Sequence, residues 1–312
     1  MVPLTILFFS SSPISLPLLN ALLRDSRFKV TGLFCQPDKP AGRGQELTCP
    51  ETKEVAVQEN VPVYQTPKLR DDKDLLLALQ KDPPDFLLTF AYGQILSEDW
   101  LALPRLAPLN VHASLLPLYR GAAPIQAALL DGQKETGLSL MKMETEMDAG
   151  PVAFQHVFPT SDEMTSEDVF DGLALLASQV IPDDLVHLSQ ELSFVEQDAS
   201  KASFTKKIKK EDGYVDFQCT AEDLLRRFRA YTPWPGLWTT HQGERLKLLQ
   251  LELTSTRSLK PGELVFKDLD FFVGTLDFDV RLSRLQLEGK KALASQEFIL
   301  GSPDWASTSL AS

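Results

Sequence analysis

At 312 residues and a formal charge of −12, the chain is long enough for two domains and too acidic for broad, nonspecific nucleic-acid binding, DNA included, which rests on cations neutralising phosphates. A hydrophobic fraction of 43% and a charged fraction of 24% are ordinary for a soluble protein. Cys35, Cys49 and Cys219 lack the Cys-x-x-Cys spacing, which argues against a disulfide framework or a structural zinc site and for buried small hydrophobes.

The apolar run Leu4 to Phe9 has no basic flank, and the first charge is Arg24, so it reads as a buried strand and not as a signal peptide. No stretch is long enough to span a bilayer, and a cytoplasmic location is expected. Ser10-Ser-Ser-Pro13 can cap a helix running to about Leu23. Phe28 to Phe34 makes a second strand, and Gln36 to Glu46 reads as a polar loop rich in Pro and Gly. A helix from Pro50 to about Glu59, a short strand at Val61 to Tyr64, a helix from Asp71 to Leu79 and a strand at Asp85 to Phe90 follow. This alternation predicts a mostly parallel sheet covered on both faces, an α/β domain of the Rossmann kind. The Gly-x-Gly-x-x-Gly fingerprint is absent, as is a phosphate loop of the Gly-Lys-Ser type.

Leu106 to Val111 is the next buried strand. It ends in Asn110 and His112, which alternate by two and so share one side. Pro117, Arg120-Gly121 and Pro124 stop the strand and open a helix with Pro in its first turn. Downstream, Met143-Glu-Thr-Glu-Met-Asp148-Ala-Gly150 offers a carboxylate before a glycine turn. Polar groups at the carboxyl ends of buried strands are where open α/β sheets place ligands. Asn110 can donate to an oxygen gaining negative charge, His112 can donate or shuttle a proton, and Asp148 can orient the imidazole. Such a site suits acyl transfer without a metal. On residue type and spacing alone, a structural histidine and a turn-forming aspartate are the commoner reading of His112 and Asp148.

Gly137 to Met143 and Val152 to Phe158 read as strands, and Ser166 to about Glu191 as a helix. Lys201, Lys206, Lys207, Lys209 and Lys210 then mark a basic linker. Beyond Thr220 the character changes to one helix, Ala221 to Ala230, the rigid turn Pro233-Trp-Pro-Gly236, and about five short strands punctuated by glycine, which suggest a small β-barrel of the OB kind. The expected division is a catalytic domain over 1–193, a basic linker over 194–210 and a barrel over 211–312.

Asn110-x-His112, Ser114-Leu-Leu-Pro117, Arg120-Gly-Ala-Ala-Pro-Ile-Gln126 and Asp148-x-Gly150, in this order and spacing, resemble the methionyl-tRNA formyltransferase family, and the resemblance runs from Leu4 to Leu300. It implies transfer of a formyl group from 10-formyltetrahydrofolate, as co-substrate, to the amino group of initiator methionyl-tRNA, by a monomer, with Asn110, His112 and Asp148 catalytic. By the same resemblance Ser114, Leu115, Leu116 and Pro117 hold the folate, and Tyr92, Gly93, Ile95 and Leu96 lie along its pterin ring. A slot of Leu and Ile side chains with exposed backbone edges suits such a flat ring. Lys39 and Arg43 correspond to a loop that enters the tRNA acceptor stem, and Lys206, Lys207 and Lys209 to further tRNA contacts. The chain departs from the family at Ser10-Ser11-Ser12, Gln45-Glu46, Ser97 and Leu118, none of which touches the catalytic three. The runners-up are a formyltransferase acting on an amino sugar nucleotide, a formyltetrahydrofolate hydrolase, and a catalytically idle RNA-binding protein.

Overall fold

The computed structural model describes residues 2–41 and 46–310. Two compact units are present. The first comprises the chain up to Pro124 together with Glu135–Thr160 and Phe170–Thr205; the second comprises Ile125–Lys134, Ser161–Val169 and the chain from Lys206 on.

The first unit is built on strands β1 (Leu4–Phe9), β2 (Phe28–Phe34), β3 (Val63–Tyr64), β4 (Phe86–Thr89), β5 (Ala107–His112), β6 (Glu135–Lys142) and β7 (Val152–Pro159). They form one seven-stranded sheet in the order β7-β6-β5-β4-β1-β2-β3. The five strands from β5 to β3 run parallel, while β6 and β7 are antiparallel additions at one edge. Sequence dictates this directly, because β4 is buried at every position and β5 at all but Asn110, as parallel strands covered on both faces must be. Helix α1 (Leu16–Arg24) turns Leu18, Leu19 and Leu22 inward at helical spacing.

A stack of aromatic rings anchors the core at the carboxyl ends of β1 and β2. Phe9 and Phe34 stack at 4.3 Å between centroids, Tyr92 meets Phe9 edge-on at 5.2 Å, and Trp100 meets Phe34 edge-on at 5.4 Å. The Trp100 indole N–H donates to Leu69 O at 3.2 Å, so its one polar atom is satisfied inside the core. The Ser10-Ser11-Ser12 turn is tied in by hydroxyls: Ser10 Oγ meets Ser15 Oγ at 2.5 Å, and Ser11 Oγ accepts from Gln36 N at 2.7 Å. Cys35 is buried, and burial pushes its thiol up to about 11, away from reactivity.

The segment read as a loop at 36–46 holds a short ribbon, Lys39–Ala41 antiparallel to Glu46–Thr48. Three-residue strands carry too little periodicity to be seen in a sequence, and Pro40 argues against one.

The second unit contains helix α2 (Ala221–Tyr231) and strands β8 (Leu237–His241), β9 (Glu244–Leu253), β10 (Glu263–Lys267), β11 (Asp270–Gly274), β12 (Asp279–Leu287) and β13 (Ser307–Ser309). Their order is β8-β9-β12-β11-β10-β13, all antiparallel, curled into a half-barrel over a core that includes Phe217, Leu224, Leu248, Phe271 and Leu282. Thr220 caps α2, its hydroxyl accepting from Asp223 N at 3.1 Å. The two outermost strands share no ladder, yet His241 of β8 donates from Nδ1 to Ser309 O of β13 at 3.0 Å while its ring rests on Trp305. The late strand β13 and the helix Ser295–Gly301 were not legible in the sequence, being short and flanked by small residues. Among the described residues no helix is long and apolar enough to cross a membrane.

Removing the ring at the centre of the aromatic stack should show its weight. Phe9→Ala is expected to destabilise the first unit by about 3–5 kcal/mol, as large core truncations do. A urea melt with an unmoved midpoint would show that the stack does not anchor this core.

Candidate active site

The strand order reverses at β1, which lies between β2 and β4, and the carboxyl ends of β4 and β5 open beside this point. Thr89 ends β4 and stands in register with Asn110 on β5. The Thr89 hydroxyl lies 2.7 Å from Asn110 Oδ1, 3.2 Å from Leu109 O and 3.3 Å from Met143 Sδ. It has one proton, and the closest acceptor is the amide oxygen. Once that oxygen accepts from Thr89, the amide nitrogen points the other way. Among the described residues no group accepts from Asn110 Nδ2, so its two hydrogens remain for a ligand.

His112 is 5% exposed. Its Nε2 lies 3.0 Å from Tyr119 O, and a carbonyl can only accept, so Nε2 carries the hydrogen. The other nitrogen, Nδ1, faces Asp148 Oδ1 at 3.6 Å, too long for a hydrogen bond but close for an ion pair. Asp148 itself adopts a left-handed conformation, φ +54°. Its second oxygen accepts from Gly121 N at 2.8 Å. Gly121 has φ +113°, and a Cβ there would come 2.5 Å from Thr205 O, so the residue donating to Asp148 has to be glycine. The structure therefore sets Asp148 against His112, with Asn110 two residues before His112 on the same strand.

Ser114 to Pro117 follows directly. The Ser139 hydroxyl on β6 donates to Ser114 O at 2.7 Å and accepts from Leu116 N at 3.0 Å. Gln155 on β7 donates to Leu116 O at 2.8 Å, and Ser114 Oγ donates to Leu118 O at 2.6 Å. Leu115 and Pro117 are half-buried on this fixed backbone, while Ser114 and Leu116 are buried. The second predicted segment is less uniform. Tyr92 and Leu96 belong to the core cluster with Phe9 and Trp100, whereas Gly93 and Ile95 are exposed. Burial pushes the Tyr92 hydroxyl well above the usual tyrosine range.

Lys39 is exposed on its ribbon, and Arg43 lies outside the described residues. Lys206, Lys207 and Lys209 are exposed, without an ion-pair partner among the described residues. The arginines of α2 are otherwise engaged. Arg226 pairs with Glu222, Arg227 donates to Tyr214 O at 2.5 Å, and Arg229 pairs with Asp162 at 3.3 Å.

Sequence reasoning missed Thr89, Ser139, Gln155 and Gln197. Gln197 donates to the carbonyls of Asp148 and Gly150 at 2.8 and 2.7 Å and accepts from Arg120. Each acts across a ladder or a long loop, and a sequence shows such neighbours only once register is known.

An amide aimed by a hydroxyl, an imidazole with one fixed tautomer and a carboxylate held beside it can stabilise a developing oxyanion and move a proton. Comparison with known proteins identifies the family. Residues 4–185 match the family described as formyl transferase, and residues 207–303 the formyl transferase C-terminal domain. A methionyl-tRNA formyltransferase of Synechococcus sp. is 37% identical over 307 residues, 95% of each chain. The methionyl-tRNA formyltransferase of Dehalococcoides mccartyi is 37% identical over 303 residues, 96% of each chain. Among solved structures, an N-formyltransferase from Helicobacter canadensis superposes with TM-score 0.66 at 16% identity, over 90% of this chain and 99% of that one. HypX from Aquifex aeolicus gives 0.60 at 17% identity, covering 94% of this chain and 46% of that one. The two structures share the fold, the relatives share the sequence over nearly its whole length, and the chain belongs to the formyl transferase family.

Proposed function

We propose that this enzyme transfers the formyl group of 10-formyltetrahydrofolate to the amino group of methionine on initiator tRNA. Full-length similarity to methionyl-tRNA formyltransferases supports the acceptor. The solved neighbours described with tetrahydrofolic acid and with folinic acid support a folate donor. The observation that carries the reading is the Asn110 amide, its oxygen held at 2.7 Å by Thr89 and its N–H groups left for a ligand beside His112.

The residues fit a folate in part. Ser114 to Pro117 offers a rigid backbone edge flanked by Leu115, and Gly93 and Ile95 offer an exposed one. Tyr92 and Leu96 support that edge from within the core instead of lining it. The co-substrate supplies the formyl group on its N10. In the transfer, the methionine amine attacks the formyl carbon, the carbon–N10 bond breaks, the amine gives up a proton and N10 gains one. Asn110 Nδ2 donates to the formyl oxygen as it gains negative charge, worth most in a dry, preorganised site. With Nε2–H committed to Tyr119, His112 takes the amine proton on Nδ1, next to the carboxylate of Asp148. Lys206, Lys207 and Lys209, with Lys39 and Arg43, attract the tRNA phosphates in this reading, and the acidic remainder of the chain limits binding elsewhere. In this reading the first unit, which reaches Thr205, carries the chemistry, and the chain from Lys206 on supplies further tRNA contact.

Asn110→Ala should lower kcat by about 100-fold, the usual loss for one oxyanion donor, with folate binding retained. Thr89→Val should act in the same direction but less, since the amide is still present and only its aim is lost. Turnover near wild type in Asn110→Ala would remove Asn110 from the chemistry.

The acceptor is tested by offering labelled 10-formyltetrahydrofolate with methionyl-tRNA or with a dTDP-linked amino sugar. Label is expected in the tRNA. Label in the sugar alone would favour the sugar formyltransferase reading, and formate release alone the hydrolase reading.

Replacing Lys206, Lys207 and Lys209 with Ala should raise KM for methionyl-tRNA and leave kcat nearly intact. The dependence of log affinity on log salt should become shallower by about 0.7–0.9 for each phosphate that is no longer neutralised. An unchanged salt slope would assign tRNA binding to other residues.

A further inference from the structure

Asp148 needs more than a turn to hold it, because φ +54° is an unfavourable conformation for a residue with a Cβ. Its carboxylate is held by Gly121 N–H at 2.8 Å. Its main chain is held by a residue 49 positions away, Gln197. The Gln197 amide makes four hydrogen bonds. Its oxygen accepts from Arg120 Nε at 3.1 Å and Nη2 at 2.9 Å, and its nitrogen donates to Asp148 O at 2.8 Å and Gly150 O at 2.7 Å. A guanidinium has no acceptor, so Arg120 dictates which end of the amide faces it, and the two N–H groups necessarily face the two carbonyls. Arg120 is itself buried, 5% exposed, and the nearest carboxylate oxygen, on Glu146, is 3.9 Å away. The neutral amide of Gln197 is therefore the principal partner of a buried cation and, at the same time, a brace across the turn that carries Asp148.

Resting on the proposed formyl transfer, we infer that Gln197 is a positioning residue for the reaction: it sets the Asp148 carboxylate against His112 without touching substrate. The residue type is specific. Glutamate has the reach but no hydrogens for the carbonyls, leucine has the volume but no polar atoms, and asparagine is one carbon short. The chain from Gln197 runs on to Ser203, which accepts at O from Arg120 N at 2.9 Å, and to Thr205, whose hydroxyl accepts from Ala123 N at 3.1 Å. The segment leading to Lys206 is thereby bonded to the same loop that supplies Gly121.

The test compares wild type, Gln197→Leu and Gln197→Glu, each as the full chain, with 10-formyltetrahydrofolate and methionyl-tRNA. Gln197→Leu should lose on the order of 100-fold in kcat while both KM values stay within about twofold, the signature of a misplaced reacting group. Its melting temperature should fall, because Arg120 loses its principal partner, so the split between kcat and KM carries the distinction. In Gln197→Glu one carboxylate oxygen still accepts from Arg120, but the other confronts two carbonyls. Protonation gives it an O–H to donate, so kcat relative to wild type should rise as pH falls, with no such rise in Gln197→Leu. Wild-type kcat in Gln197→Leu overturns the inference, as does a parallel loss of melting temperature, KM and kcat, which would make Gln197 structural. Should Gln197→Leu not fold, Gln197→Glu decides alone, and a flat ratio across pH overturns the inference. A wild-type chain that transfers no formyl group to methionyl-tRNA instead overturns the functional reading on which the inference rests.

Discussion

A primary amide has a donating end and an accepting end of nearly the same shape, and a site that must stabilise negative charge works with only one of them presented. Here the choice falls to a single hydroxyl. Thr89 gives its proton to the oxygen of Asn110, the closest of its acceptors at 2.7 Å, and the amide nitrogen then faces the other way. The register between β4 and β5 sets that hydroxyl opposite Asn110, and the register follows from two strands buried on both faces that tolerate no slip. Preorganisation of the site thus begins in the hydrophobic packing of the sheet.

The rest of the site is arranged around the same edge. His112 is two residues further along β5 and shares its face, and the carbonyl of Tyr119 commits one of its nitrogens. Asp148 arrives from the turn after β6 and is gripped at both its side chain and its main chain. The backbone of Ser114 to Pro117 is fixed by hydroxyl and amide groups of β6 and β7, the two antiparallel strands. Those strands extend a parallel Rossmann-like sheet past the point where parallel pairing ends, and the polar side chains of Ser139 and Gln155 give the loop after β5 its partners.

Alternation along a strand was enough to place Asn110 and His112 on one side, and a local pattern to place Asp148 before a glycine turn, but their catalytic reading came from the family resemblance. The parallel sheet was legible from local pattern as well, each strand being a continuous apolar run. Thr89 was not, since its importance exists only across a ladder to a residue 21 positions away. Gln197 was hidden behind a larger separation and no periodic element. Tyr92 stood next to a glycine turn where a ligand contact seemed natural by resemblance, yet its ring completes the aromatic stack and is 4% exposed. An aromatic residue at the end of a strand serves core and ligand equally well in sequence, and only packing separates the two.

The left-handed backbone at Asp148 has an evolutionary side. The residues that sit most easily at φ +54° are glycine and asparagine, and both lack the charge that aspartate brings. A mutation at this position to either one relieves or keeps the conformation while removing the carboxylate. In asparagine an amide oxygen remains to accept from Gly121 N, so the turn keeps that hydrogen bond without the charge. Under the role proposed for Asp148, such a change lowers turnover without unfolding the chain, so selection on product, and not on folding, would maintain the aspartate.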